Sequence, residues 1–171
     1  MYLLKRLKGA WKGFKNPERD IKDAMTGLLN TTALKKIWPK EAAEAERYEL
    51  QLSWAFLDID DFKEINDSHG HVQGDKALKE LADTVREVLR AADIPFRYGG
   101  DEFFVIFPET SKADAARAMI RLEKELEELD FLEINGISIS WGVAEWQEIQ
   151  SDELEEAVNI ADERLYKMKF N

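Results

Sequence analysis

Two short stretches of the sequence place carboxylates directly beside apolar runs. In RYGGDEFFVIF (residues 97–107), Asp101 and Glu102 follow two glycines and precede five apolar residues. In DIDDFKEINDSHGHVQGD (residues 58–75), Asp58 follows an apolar run. Carboxylates at strand ends are the hard oxygen ligands that suit Mg²⁺, which is usually bound by one or two carboxylates together with substrate phosphates. The two stretches are therefore candidates for a metal-dependent phosphate site.

These acidic residues have other interpretations as well. Acidic side chains at strand ends are often ordinary turn or N-cap groups. A phosphatase with an aspartyl nucleophile also begins with a D-x-D such as Asp58 and Asp60, but the threonine that usually follows that pair is absent here. The combination of the two stretches favours a metal site. If the strand before Asp58 lies beside the hairpin, Asp58 and Asp101 approach one cation from opposite sides.

Polar side chains after Asp58 have the chemistry to bind a nucleotide. Lys63 falls about one helical turn further on and offers a positive charge to phosphate oxygens, although most lysines are simply solvated. Asn66 and Asp75 flank two glycines. Aspartate accepts from the N1–H and N2–H₂ groups of guanine, and asparagine can face its acceptors. Turn and cap chemistry is the alternative role for both residues.

Helical and strand patterns alternate beyond Pro17 with short connectors. The predicted strands cover residues 50–60, 94–98, 103–107 and 137–143. The predicted helices cover residues 31–48 and 73–89, a segment capped by Ser111 that extends to Leu129, and the C-terminal segment. The apolar face predicted for that last helix consists of Leu154, Val158, Ala161, Leu165 and Met168. The second and third strands form a hairpin around Gly99 and Gly100, because glycine adopts positive φ readily. This pattern predicts one α/β (α+β) unit with a central, mostly antiparallel sheet flanked by helices.

Length and composition are those of a single globular domain. The chain has 171 residues, of which 44% are hydrophobic and 35% charged, and this balance argues against disorder. The absence of cysteine excludes disulfides and thiolate metal sites and is consistent with a reducing cytoplasm. A net charge of −11 argues against general nucleic-acid binding, which needs a basic surface. Any binding of phosphate must therefore be local.

The N-terminal segment differs from the remainder in charge. Residues 1–20 carry six basic and two acidic residues, which leaves −15 for the rest of the chain. Four apolar residues share one helical face, Leu3, Leu7, Trp11 and Phe14, although two glycines weaken the helix. The favoured interpretation is a helix packed on the domain or on a partner chain. A lead-in from a sensory domain and a basic helix on a membrane surface are the alternatives, in that order.

The longest motifs resemble those of the GGDEF family of diguanylate cyclases. RYGGDEF follows residues 58–75, which follow DAMTGLLN (residues 23–30), and ADERLYKMK (residues 161–169) is similar to the closing helix of that family. The resemblance covers about residues 23–169 and predicts one such domain over residues 23–171, which leaves residues 1–22 as the basic amphipathic lead-in helix. It implies a fold like the adenylyl cyclase catalytic core, and the condensation of two GTP molecules into cyclic di-GMP with release of two pyrophosphates.

The resemblance also implies a set of site residues. The implied ligands of Mg²⁺ or Mn²⁺ are Asp58, the carbonyl of Ile59, Asp101 and Glu102. The implied GTP contacts are Lys63 and Lys169 at the phosphates, Asn66 and Asp75 at the guanine, and the backbone of Gly99 and Gly100. Glu102 alternatively helps to deprotonate the attacking 3′-hydroxyl. Because each subunit holds one GTP, the active enzyme is expected to be a homodimer, at least transiently.

A second motif, R-x-x-D, precedes the glycine pair. Arg90 and Asp93 resemble the product-inhibition site of the family, in which arginine forks pair with cyclic di-GMP. Arg121, on the following predicted helix, is a candidate second arginine of that site. An ordinary surface ion pair is the alternative for Arg90 and Asp93.

Some residues depart from the pattern of the family. Thr31 and Thr32 follow Asn30 where basic residues are usual, and the family's usual GRN tail is not present before Asn171. These differences bear on phosphate affinity. His69 and His71 lie beside the carboxylates but are predicted to be turn or packing residues. A domain that binds GTP or cyclic di-GMP without chemistry is the alternative function, and a purely structural domain is a third.

Overall fold

The computed structural model of the chain describes residues 20–131 and 134–170. Its elements in chain order are β1 (Leu29–Asn30), α1 (Thr31–Tyr48), β2 (Leu52–Ile59), α2 (Phe62–His69), α3 (His71–Val88), β3 (Ile94–Gly99), β4 (Glu102–Pro108), α4 (Lys112–Glu127), β5 (Asp130–Phe131), β6 (Ile134–Asn135), β7 (Ile139–Glu145) and α5 (Leu154–Phe170), with a 3₁₀ helix (Trp146–Glu148) before α5. The predicted alternation of helices and strands is confirmed.

Five strands form the central sheet in the order β1-β3-β4-β2-β7. Strand β1 is parallel to β3, and the other neighbours are antiparallel. Strands β5 and β6 pair separately. The fold class predicted from the sequence, a mostly antiparallel sheet flanked by helices, is therefore confirmed.

The two faces of the sheet are covered by different helices. In β2, Trp54 and Phe56 pack with α1 and α5 on one face, whereas Ala55 and Leu57 pack with α3 and α4 on the other. The five residues after Glu102 are likewise divided between the faces and buried. This alternation is the period-two pattern of a strand buried on both sides. It places the polar ends of β2 and β4 at one rim of the sheet.

Several element boundaries differ from the prediction. Helix α3 begins at His71, two residues early, and α4 ends at Glu127, so Leu129 lies beyond it. In α5 the fully buried residues are Ala157, Ala161 and Leu165, and Met168 is exposed instead of belonging to the core stripe. The small residue Gly142 is needed on β7 because α5 lies directly on that strand. A Cβ added at Gly142 would come within 2.0 Å of the Ala161 carbonyl oxygen.

The described part of the domain begins slightly before residue 23. Ile21 is buried in the core, and Lys22 forms a bridge with Leu29. The predicted lead-in helix lies mainly in residues 1–19, outside the described residues. In residues 20–131 and 134–170, the helices are all too short or too polar to cross a membrane.

Glu148 joins three elements at the base of α5. Its carboxylate accepts hydrogen bonds from Arg164 Nη1 at 3.1 Å and Lys112 Nζ at 2.9 Å, and from the backbone of Glu145 at 3.0 Å. The hydrogen bonds from Arg164, with those from Lys112 and Glu145, outweigh burial and lower the pKa of Glu148 to about 2. The ionised carboxylate therefore stabilises the folded state above the unfolded pKa of 4.5.

We expect Glu148→Gln to lower the free energy of unfolding by about 1–2 kcal/mol at pH 7, because solvent partly screens the ion pairs that lower the pKa of this carboxyl. The difference from wild type should shrink as the pH falls below 4.5 and vanish near pH 2. Urea denaturation at pH 7 and pH 3 measures it. The control is Glu163→Gln, which removes the same charge from an exposed position on α5. A pH-independent difference would contradict the assigned role of Glu148.

Candidate active site

The antiparallel pairing of β2 and β4 brings the predicted carboxylates together. Asp58, near the end of β2, is the direct partner of Glu102, the first residue of β4. Asp101 precedes Glu102 in the turn from β3 and is close enough to Asp58 for the two charges to interact. The predicted approach of Asp58 and Asp101 therefore has a structural basis in the hairpin.

The turn that carries these acids has an open backbone. Gly100 has a φ of +54°, which favours glycine, whereas Gly99 is the last residue of β3 and has no positive φ. The expectation of positive φ thus holds for Gly100 alone. A Cβ added at either glycine would meet no atom within 4 Å. A ligand can therefore approach the backbone of this turn.

Arg97 holds the turn in place, a role that the sequence analysis missed. Its Nε and Nη2 donate to the Gly100 carbonyl oxygen at 3.0 and 2.7 Å, and its Nη1 donates to Asp23 Oδ1 at 3.1 Å. Burial works against the charge of Asp23, but hydrogen bonds from Thr26 and Arg97 outweigh it and lower its pKa. The position of Arg97 beside a glycine turn could have indicated this role. The sequence pattern does not indicate its acidic partner, Asp23, because that residue lies 74 positions away in the chain.

Negative charge is concentrated at the rim. Burial raises the pKa of Asp58, Lys169 partly offsets this effect, and Asp101 adds to it. Burial, followed by the charges of Asp58 and Asp101, also raises the pKa of Glu102. Burial and mutual repulsion make it unfavourable for these carboxyl groups to ionise together. A cation bound at the rim would therefore be stabilising.

Lys169 supplies part of that positive charge. Its Nζ lies 2.6 Å from Asp58 Oδ1 and 3.8 Å from Asp60 Oδ1, near the end of α5. Burial opposes the charge of Lys169, but the hydrogen bond to Asp58 and the surrounding carboxylates raise its pKa. The predicted phosphate ligand thus contacts the predicted metal ligand directly.

Asp60 lies on the same side as Asp58, since Lys169 contacts both carboxylates, but Asp60 also has partners of its own. Its two carboxylate oxygens accept hydrogen bonds from Ser138 and Ser140, each at 2.7 Å. Asp60 therefore ties the end of β2 to the start of β7.

The donor atoms at the rim fit a hard divalent cation. Asp58, Asp101 and Glu102 offer carboxylate oxygens, and Ile59 adds a nearby backbone carbonyl, which is the oxygen chemistry of Mg²⁺ or Mn²⁺. Within the described residues, no three acidic or histidine side chains are already grouped to hold a metal ion. Asp58 is instead paired with Lys169. A cation bound here would either share the Asp58 carboxylate with Lys169 or displace Lys169 from it.

The predicted base-binding residues lie on α2 and α3. Asn66 is half-buried on α2, and Asp75 is exposed in the first turns of α3. Lys63 is exposed in the first turn of α2, shortly after the end of β2. The tight connection at Gly70 brings the start of α3 against Asn66, and a Cβ at Gly74 would lie 2.2 Å from Asn66 Oδ1.

Arg90, Asp93 and Arg121 belong to a separate region. The Arg90 guanidinium donates to Asp93 and, at 2.6 Å, to Thr110 Oγ1. A cavity of about 270 Å³ beside it is lined by Arg90, Arg121 and Arg117, among others. Arg117 was not predicted, although it precedes Arg121 by one helical turn on α4. Glu109 and Asp114 also line the cavity, so its three arginines leave a net charge of +1, and this cationic cavity lies away from the acidic rim.

Thr31, which departs from the usual basic pattern, has a structural contact. Its Oγ1 donates to the Tyr98 carbonyl oxygen at 2.6 Å and so joins the start of α1 to β3. The neighbouring Asn30 caps α1 by accepting from the backbone of Ala33. These contacts support the strand that leads into the glycine turn.

The family model described as "Diguanylate cyclase, GGDEF domain" matches residues 21–171. Diguanylate cyclase DosC of Escherichia coli K12 is 36% identical over 151 residues, which cover 86% of this chain and 32% of DosC. Diguanylate cyclase DgcP of Pseudomonas aeruginosa is 38% identical over 156 residues, covering 89% of this chain and 23% of DgcP.

Solved structures show the same fold. The GGDEF domain of DgcB from Caulobacter crescentus, solved in complex with c-di-GMP, matches with a TM-score of 0.80 and 31% identity, covering 88% of each chain. Diguanylate cyclase SiaD of Pseudomonas aeruginosa, solved with its activator SiaC, matches with a TM-score of 0.82 and 30% identity, covering 98% of this chain and 63% of SiaD.

The mostly antiparallel sheet flanked by helices is the fold of the solved GGDEF domains. The chain belongs to the GGDEF family of diguanylate cyclases, as the match over residues 21–171 shows. It spans about a third or less of the curated relatives described above.

Proposed function

We propose that this chain condenses two GTP molecules into cyclic di-GMP with release of two pyrophosphates. The observation that supports this most directly is the group formed by Asp58, Asp101 and Glu102 at an open glycine turn. A domain that has lost its chemistry has no need to keep three carboxylates whose charges oppose one another. Family membership and the DgcB complex with c-di-GMP support the same function.

The acidic rim is the proposed catalytic part. Asp58, Asp101, Glu102 and the carbonyl of Ile59 would hold Mg²⁺ or Mn²⁺, which neutralises phosphate charge and polarises the attacked phosphorus when bound. When GTP binds, Lys169 leaves Asp58 and contacts the phosphates instead, because a triphosphate carries more negative charge than a single carboxylate. Lys63 adds a second charge from α2. Glu102, whose pKa is raised, is also a candidate acceptor of the proton of the 3′-hydroxyl.

Asn66 and Asp75 are proposed to select guanine. An aspartate accepts hydrogen bonds from N1–H and N2–H₂ of guanine, two groups that adenine lacks. The asparagine amide forms hydrogen bonds with the acceptors of guanine. Each unmatched polar group costs about 1–3 kcal/mol. The backbone of Gly99 and Gly100 lies against the nucleotide, because no side chain fills the space above the turn.

The reaction requires two copies of the domain. One rim holds one GTP, and each 3′-hydroxyl must attack the α-phosphate of the other nucleotide in line. The proposed active form is therefore a homodimer with facing rims, formed at least transiently. The cationic cavity around Arg90 and Arg121 is proposed to bind the product and to limit this encounter.

We expect purified chain incubated with GTP and Mg²⁺ to yield cyclic di-GMP and pyrophosphate, resolved by anion-exchange chromatography. ATP in place of GTP should yield no cyclic dinucleotide, because Asn66 and Asp75 are matched to guanine. Bound but unchanged GTP would favour the non-catalytic binding domain. Neither turnover nor nucleotide binding would favour a structural domain.

A further inference from the structure

The side-chain amide of Asn66 is held from three directions. Its Nδ2 donates to the Phe62 carbonyl oxygen at 3.2 Å, one turn earlier on α2. Its Oδ1 lies 3.2 Å from Nδ1 of His71, the first residue of α3. The absence of a side chain at Gly74 leaves the amide in contact with the α3 backbone, because an added Cβ would lie 2.2 Å from Oδ1.

These contacts determine the orientation of the Asn66 amide and require a hydrogen on Nδ1 of His71. A carbonyl oxygen only accepts, so the Phe62 oxygen requires the nitrogen of the amide on its side. The amide oxygen then faces His71, whose Nδ1 must carry hydrogen to donate. One amide N–H and one lone pair of Oδ1 remain for a ligand.

The remaining N–H suits guanine better than adenine. Guanine presents N7 and O6, two adjacent acceptors, whereas adenine presents N7 beside a donating N6–H₂ group. The terminal torsion of asparagine is broad, so an amide without the His71 contact can rotate. A rotated amide presents its oxygen to the amino group of adenine. Fixing the amide therefore excludes the wrong base as well as binding the right one.

We propose that His71 is a positioning residue for base selection, which acts by donating from Nδ1 to Asn66 Oδ1. The inference rests on the proposed GTP site and adds the residue that orients its base-reading group. Gly70, with a φ of +82°, makes the contact possible because it reverses the chain between Asn66 and His71.

The test measures binding without turnover. Calorimetric titration of the full chain with 3′-deoxy-GTP and 3′-deoxy-ATP in Mg²⁺ gives both affinities, because these analogues lack the attacking hydroxyl. His71→Ala should weaken 3′-deoxy-GTP binding about fivefold, the equivalent of one neutral hydrogen bond of about 1 kcal/mol. The preference over 3′-deoxy-ATP should fall by at least as much. The control, His69→Ala, removes an exposed histidine from the end of α2 and should change neither affinity.

Two further variants separate positioning from general structure. His71→Asn restores a donor near Nδ1 and should recover most of the guanine preference. Gly74→Ala places a methyl group against the Asn66 amide and should weaken binding at least as much as His71→Ala, while unfolding temperature is unchanged or raised, since alanine favours a helix. Nitrogen NMR of the ligand-free chain should show His71 with hydrogen on Nδ1.

The outcomes distinguish the inference from the proposed function. If Asn66→Ala weakens 3′-deoxy-GTP binding but His71→Ala does not, the role of His71 is overturned while the base site stands. If Asn66→Ala also has no effect, the proposed base site is wrong and the role of His71 falls with it. A His71 ring without hydrogen on Nδ1 overturns the inference independently of any ligand.

Discussion

Asp58→Asn and Asp101→Asn should each abolish formation of cyclic di-GMP. Both changes remove a carboxylate from the rim where Asp58 and Glu102 face each other across β2 and β4. A metal ion contributes several kcal/mol of charge stabilisation to such a reaction, so the rate should fall by on the order of a thousandfold or more. Initial rates at saturating GTP, measured over a range of Mg²⁺ concentrations, give the result.

The fold should survive the first of these changes. Burial and neighbouring carboxylates raise the pKa of Asp58, so its ionised form is less favourable in the folded chain than in the unfolded chain. Asparagine removes that cost above the normal pKa of aspartate. The thermal unfolding of Asp58→Asn should therefore match or exceed that of wild type at pH 7. Loss of activity through unfolding is thus separable from loss of a metal ligand.

The matched control is Asp152→Asn, an exposed aspartate ahead of α5 and a helix length from Lys169. It removes the same charge and should leave the rate unchanged. Normal turnover in folded Asp58→Asn or Asp101→Asn would contradict the assignment of the rim as the catalytic site. Recovery of Asp58→Asn at higher metal concentration would instead support weakened metal binding.

Arg90→Ala should weaken inhibition by cyclic di-GMP about ten- to a hundredfold. The Arg90 side chain is 57% exposed and lines the cationic cavity, so its substitution removes a charge-assisted hydrogen-bond donor. Hydrogen bonds to charged groups contribute about 1.5–3 kcal/mol, and each 1.4 kcal/mol corresponds to one decade in affinity. Progress curves with added cyclic di-GMP measure the change.

Arg90→Ala removes the guanidinium partner of a buried carboxylate but leaves that carboxylate one hydrogen bond, so thermal unfolding is measured alongside inhibition. The side chain of Asp93 is 1% exposed, but its Oδ2 also accepts from the backbone nitrogen of Arg90 at 2.9 Å, and that bond persists in the alanine variant. The initial rate without product should change little, because the cavity is separate from the acidic rim. Early flattening of the progress curve should be lost.

Two further arginine variants test whether the effect of Arg90→Ala is specific to the cavity. Arg121→Ala should also weaken inhibition, since Arg121 lines the same cavity from α4. Arg47→Ala removes an exposed arginine from the last turn of α1 and should have no effect. Inhibition of Arg90→Ala identical to that of wild type would show that Arg90 and Asp93 form only a surface ion pair.

The sequence by itself determined most of the elements and the local part of the candidate site. Alternating and helical periodicity predicted the strands and helices because burial on a sheet or a helix face imposes those periods. The turn with Asp101 and Glu102 was predictable because glycine and the following apolar run are adjacent in the chain. Asp58 was predictable for the same reason, as it ends a buried run.

Only the tertiary structure decided the contacts between distant residues. Lys169 reaches Asp58 across 111 residues, and Arg97 reaches Asp23 across 74. The hydrogen bonds of Asp60 to the serines of the β7 region depend equally on strand order. Periodicity specifies which face a residue occupies but not which strand or helix end lies opposite it. Which elements lie opposite one another depends on the packing of the whole core. The sequence pattern therefore could not predict the partners of Lys169, Arg97 and Asp60.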